Sequence, residues 1–265
     1  MTTSGDGGSR WFIGVDQAWS AANTTGVAVL KGDASGFELV SAQAVMTIEA
    51  MAAIVRAHPG DWVIGIDAPL VVRNREGMRP SDRQITQLYG RFEAGAHPTN
   101  LTLLNSVVRG GELVAELYRD GLRVVDEALA AQPAGRWAFE TYPHAGMIEL
   151  FKLKKTIKYK RGSVAEKRRG LDELVACLRR HLQRLDPPLR MTAALRTLLD
   201  QDLTGLRGKA LKAHEDVLDA VFCAYLAGFF WTWGAGRHRL LGNPREGTVV
   251  LPAVNDEVGA LGSTR

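Results

Sequence analysis

Two aspartates one helical turn apart, Asp216 and Asp219 in "HEDVLDAVFCAYLAGFF", stand at the head of a segment that is otherwise almost wholly apolar. Residues three apart share a helical face, and this face continues through Ala220, Cys223 and Ala227. A carboxylate buried there costs several kcal/mol unless a charge or a hydrogen-bond donor meets it. Asp216 has an ordinary explanation, since an acid in a first helical turn gains about 0.3–1 kcal/mol from the helix dipole. Asp219 sits a turn deeper and calls for a partner elsewhere in the chain.

Three further acids end short apolar runs: Asp16 in "WFIGVD", Asp67 in "WVIGID" and Glu140 in "GRWAFET". Each run reads as a strand, and ligands of crossover sheets bind beyond the carboxyl ends of parallel strands. Singly, each acid is what a strand-to-loop junction often carries as a turn residue. Together, carboxylates at one sheet edge repel one another and need a counter-charge. A hard divalent cation supplies it, Mg2+ or Mn2+, with Asp16, Asp67, Glu140, Asp216 and Asp219 as metal ligands and catalytic residues. Two ions about 3.5–4 Å apart would clamp a phosphodiester, one activating water and the other stabilising the leaving oxygen.

The elements that must position these acids follow from pattern. After "WFIGVD", the runs "TTGVAVLKG" and "GFELVSAQAV" make an antiparallel meander, joined by the turn residues of "KGDASG". "TIEAMAAIVRAH" has helical spacing and stops before "PGD", so "WVIGID" returns parallel to an earlier strand. Residues 80–131 read as mainly helical, with a loop at "EAGAHPTN". A long charged helical stretch follows "YPHAG" to about Leu185, "DPPLR" breaks it, and a further helix covers 191–204. "GTVVLP" reads as a last edge strand or an extended tail.

At 265 residues and 46% hydrophobic content the chain can bury a large core. Cys177 and Cys223 lack metal-ligand spacing and fit a reducing compartment. No apolar stretch opens the sequence, so a secretory leader is not expected. Ala220–Gly236 is uncharged but short of the ~20 residues a span requires and reads as a core helix, so no membrane partner and a cytoplasmic location are expected.

"FKLKKTIKYKRGSVAEKRRG" concentrates lysine and arginine beside the acids, with aromatics between them. Phosphate-backbone binding by Lys155, Lys158, Lys160 and Arg161 is one reading; a solvated helical face is the other. Arg79 and Arg83, close after Asp67, are further phosphate candidates, with Asp82 as a partner for one of them. His144 could orient water or protonate a leaving group, or be a hydrogen-bonded structural histidine.

The motifs "GVDQAWS", "IGIDAPL", "MRPSDR", "FETYPH", "HEDVLDA" and "GTVVLP", in this order, resemble the family called domain of unknown function 429, described as predicted nucleases of ribonuclease H fold. "IGVDQA" is similar to the first catalytic strand of that fold, and "HEDVLDAVFCAYLAG" to the last helix of RuvC-type resolvases. The resemblance implies an α/β fold with a mixed five-stranded sheet in the order 3-2-1-4-5, flanked by helices. With no internal repeat or low-complexity linker, the chain reads as one domain over 11–252 with a helical insertion about 144–210, between a disordered lead (1–10) and a flexible tail (253–265). The resemblance further implies a nuclease acting on DNA or RNA with two Mg2+ or Mn2+ ions. Alternatives are a non-catalytic nucleic-acid or protein-binding module and, behind it, an ATP-dependent phosphotransferase, whose glycine-rich phosphate turn is missing after Asp16. The sequence leaves homo-oligomerisation open.

Overall fold

A computed structural model describes residues 10–20 and 22–259. β1 (Arg10–Asp16), β2 (Thr25–Asp33) and β3 (Gly36–Val45) form the antiparallel meander. Helix α1 (Ile48–Arg56), N-capped by the Thr47 side chain, carries the chain back, and β4 (Trp62–Asp67) pairs parallel to β1. After α2 (Pro80–Tyr89), α3 (Arg109–Leu117) and the short β5 (Leu122–Val124), strand β6 (Arg136–Glu140) pairs parallel to β4. The resulting order, β3-β2-β1-β4-β6, is the expected ribonuclease H-like arrangement, with β6 as its fifth core strand.

Three strands extend it to eight. β5 pairs with the first half of β6. Near the C-terminus β7 (His238–Asn243) and β8 (Gly247–Pro252) form a hairpin. β8, expected at an edge, lies between β6 and β7 and bonds to β6 at Glu140↔Val249.

Period-2 alternation in the strands builds the two faces of the sheet. Ile13, Val15, Ile64 and Ile66 pack under α1 and α3. Phe12, Ala28 and Val63 face the other way, against the helix α7 (Gly208–Trp233). Gly14, Gly65 and Gly26 continue that second face, and α7 lies directly on them. A Cβ on Gly14 would stand 1.9 Å from the carbonyl oxygen of Ala220, one on Gly26 1.9 Å from that of Asp216, and one on Gly65 2.7 Å from that of Cys223. Only glycine permits so close an approach. By length and composition α7 could cross a membrane, but 94% of its apolar window is buried within the protein.

The charged stretch after "YPHAG" is not one long helix. It divides into α4 (Pro143–Phe151), an irregular strap over residues 152–163, and α5 (Val164–His181). Lys152 and Gly162 bound the strap with positive φ. Within it Ile157 and Tyr159 are buried while Lys158 is exposed, a period of two that a helix cannot satisfy. The Ser163–Glu166 capping box then starts α5. Helix α6 (Ala193–Leu199) is shorter than expected.

The expected disordered lead lies, apart from Arg10, outside the described residues. The first residues of the expected flexible tail are packed: Ala253 N donates to Arg237 O, and Val258 in α8 (Asp256–Gly259) is buried.

Candidate active site at the carboxyl ends of β1 and β4

Asp16 and Asp67 are paired in the parallel β1–β4 register. Both share strand parity with the glycines, so both belong to the face that α7 covers. On α7 the two aspartates are neither frayed nor capping. The helix starts at Gly208, so Asp216 lies more than two turns in, beyond the reach of the helix-dipole explanation. Asp216 and Asp219 are 1% and 0% exposed.

The partner that Asp219 needed is in the strap. Tyr159 donates its hydroxyl to Asp219 Oδ1 at 2.7 Å. Lys160 Nζ lies 2.7 Å from Asp219 Oδ2, without hydrogen-bond alignment, and 3.8 Å from Asp16 Oδ2. Asp16 Oδ2 is buried and makes no hydrogen bond. Burial raises the Asp16 carboxyl well above its ordinary value; Lys160 opposes this, and Asp219 and Asp67 add to it. Asp67 is pushed up to about 7, by burial first, with Lys160 opposing and Asp219 reinforcing. Burial also works against the Lys160 charge, but Asp16 and Asp219 outweigh it and hold the ammonium protonated. One cation thus answers several carboxylates. Asp216 is held differently, by Thr24 Oγ1 at 2.7 Å and by an ion pair with Lys212.

Glu140 does not join this group. Its register partner is Ile66, not Asp67, so its side chain leaves the opposite face of the sheet. There the Arg79 guanidinium grips both carboxylate oxygens, at 2.6 and 2.9 Å, and Leu70 N donates to Oε2 at 3.0 Å. The same arginine bonds Asp82 at 2.9 Å and Val71 O at 3.1 Å. Arg79 is 3% exposed. Glu140, expected as a metal ligand, and Arg79, expected as a phosphate ligand, are thus found bonded to each other, apart from Lys160.

The remaining candidates are dispersed. Arg83 is exposed and donates to Met78 O. Lys155 and Lys158 are exposed and both pair with Glu93. Arg161 contacts the His97 ring at 2.7 Å. His144 bonds Thr156 Oγ1 at 2.9 Å and reaches no carboxylate; burial, then Lys160, lowers it to about 4, so it is neutral near pH 7. Four participants were not assigned from sequence: Tyr159, Thr24, Lys212 and Glu215. Glu215 is 2% exposed beside Lys212. Its signal was visible, as a third acid in "HED" too apolar in its surroundings for a solvated face.

Among the described residues no three Asp, Glu, His or Cys side chains are arranged as a ready-made metal site. The donor set nevertheless suits a hard cation: carboxylate oxygens, two of them (Asp16 Oδ2 and Asp219 Oδ2) buried without a hydrogen bond, gathered around the Lys160 ammonium.

The family described as "Protein of unknown function (DUF429)" matches residues 14–246. The chain belongs to this family. Its match runs from β1 into the β7–β8 hairpin and so spans all four aspartates. No curated protein matches the chain. Among solved structures, the human cytomegalovirus terminase nuclease domain, soaked with manganese, is similar at a TM-score of 0.33 and 13% identity. The alignment covers 85% of this chain and 86% of that one.

Proposed function

We propose that the protein is a divalent-metal-dependent nuclease that hydrolyses phosphodiester bonds of DNA or RNA. The observation that carries this reading is the pairing of Asp16 and Asp219 with one half-buried lysine, Lys160, with Asp67 beside Asp16 at the carboxyl ends of two adjacent parallel strands. Asp16, Asp67 and Asp219 would hold Mg2+ or Mn2+, with Asp216 in support. When bound, the metal would supply a Lewis acid and an activated water. The chain's own part is to fix the carboxylates. The glycine-cushioned α7 sets their depth, Tyr159 orients Asp219, and Thr24 with Lys212 orients Asp216. Lys160, which lies against Asp16 and Asp219, would offer its ammonium to a phosphate oxygen of the substrate.

The Lys160 ion pairs favour one other reading, a binding module in which the lysine neutralises the acids permanently. The deciding experiment is cleavage of labelled DNA and RNA with manganese, magnesium or chelator, using wild type, Asp16→Asn and Asp219→Asn. The nuclease reading expects metal-dependent cutting that both variants lose. Cutting by neither wild type nor variants, with no calorimetric binding of manganese, would leave the binding module.

A further inference from the structure

The floor formed by Tyr159 and Lys160 opens into a cavity of about 840 Å³, bounded by α5, the start of α4 and the 93–97 loop. A second, smaller cleft of about 90 Å³ runs along Asp67 to Trp19. The two share His97 and Tyr142 as a common wall and so adjoin; Asp67 lines the second, and Lys160, paired with Asp16 and Asp219, lines the first. Rings line the two from end to end. Trp19, 45% exposed, is at one mouth; His97 and Tyr142 are midway; His144 lies 5.6 Å from Tyr142 and 5.4 Å from Tyr159. Lys160, Arg161 and Arg169 add cations along the deep half, among Glu93, Glu166 and Glu173.

Resting on the nuclease reading, we infer that the two form one groove that binds an unpaired nucleic-acid strand, with bases stacked on these rings and phosphates led past Asp16 and Asp67. Stacking platforms interleaved with cations suit single strands, because an unpaired base offers its π-face. A duplex has its bases stacked on each other and presents a wall of sugar and phosphate, for which Trp19 and Tyr142 have no use. Depth argues the same way. Asp16 is 7% exposed and Asp219 fully buried, so the scissile phosphate must come down between walls that a rigid duplex would straddle. A cleft in the ~300–1,000 Å³ range takes a ligand of small-molecule size, which here is a nucleotide turned out of its stack.

The test is fluorescence anisotropy of labelled single-stranded DNA, single-stranded RNA and a blunt duplex of the same sequence, in chelator. Working without metal separates binding from cleavage. The expected result is single-strand binding at least about tenfold tighter than duplex binding. Trp19→Ala should weaken it about five- to a hundredfold and Trp19→Phe only slightly. Arg169→Ala should lower the slope of log affinity against log salt by about one. The DNA and RNA arms then identify the sugar. Duplex bound as tightly as single strand, or Trp19→Ala without effect, overturns the inference while leaving the nuclease reading intact. No binding of any nucleic acid overturns the inference as well, and the cleavage assay then decides the nuclease reading on its own.

Discussion

The acid that ends β6 and the acids that end β1 and β4 occupy equivalent places in the sheet, yet they are treated in opposite ways. Glu140 is closed by a rigid fork: two arginine nitrogens on its two oxygens, a backbone amide on one of them, and Asp82 steadying the arginine from behind. Asp16 and Asp219 share one lysine borne on an irregular strap, Asp67 makes no ion pair with it, and one Asp16 oxygen has no hydrogen bond. The first arrangement has no vacancy for a ligand. The second is under-satisfied, and buried polar groups are left so mainly where something else is to bind or react. Structural and functional carboxylates are thus told apart by how completely their lone pairs are filled.

The contrast can be broken most forcefully at its structural end. Arg79→Ala leaves Glu140 and Asp82 buried without their cation and should cost about 3–5 kcal/mol, read from urea unfolding. At the other end the sign reverses. Asp67→Asn removes a carboxylate that burial and Asp219 disfavour, so in chelator it should stabilise the protein by about 0.5–2 kcal/mol. Manganese should raise the Tm of wild type, and the same variant should forgo that rise. A smaller effect tests the lysine. Lys160→Met removes the resident competitor for the cation and should tighten manganese binding about tenfold by calorimetry; unchanged affinity would mean that Lys160 does not guard the site.

The smallest effect separates acid sensitivity from the carboxylates altogether. His238 is buried against Phe229 and Phe230, and burial lowers it to about 4 despite its bond to Gly234 O. Its unfolded value is near 6.5, so between those limits the unfolded chain takes a proton that the folded one refuses. Stability should therefore fall as pH drops from about 6.5 towards 4. His238→Gln should recover about 1 kcal/mol of the loss between pH 7 and 5.5 in thermal melts.

Asp16, Asp67 and Asp219 were legible as a group because each breaks a local rule: a charge at the end of, or inside, a run that otherwise asks to be buried. The strand order was legible for a related reason, since the hairpins and the crossover are short-range facts of turn chemistry and spacing. Glu140 shows where such reading stops. Its run looks like the other two, but where an acid points depends on register, and one residue of offset against Asp67 turns it to Arg79 at the edge of the small cleft instead of to Lys160. Arg79 and Lys160 are 61 and 59 residues distant in sequence from their carboxylate partners, a separation that composition and periodicity do not bridge. The strap was misread as helix because its lysines dominate the pattern, although Ile157 and Tyr159 already alternate with them.

The three strand glycines beneath α7 carry a consequence for how this centre can vary. The separation between the sheet acids and the helix acids is gauged by absent methyl groups, backbone resting on backbone, and not by any side chain that does chemistry. An alanine at Gly14 would have to lift the helix by more than an ångström to clear the Ala220 carbonyl, and misplacement on that scale can cost a reaction about a hundredfold. The calibration of the site is therefore stored in residues that never touch a substrate. Its walls around Trp19 and Tyr142 can change while the gap between sheet and helix keeps the same width.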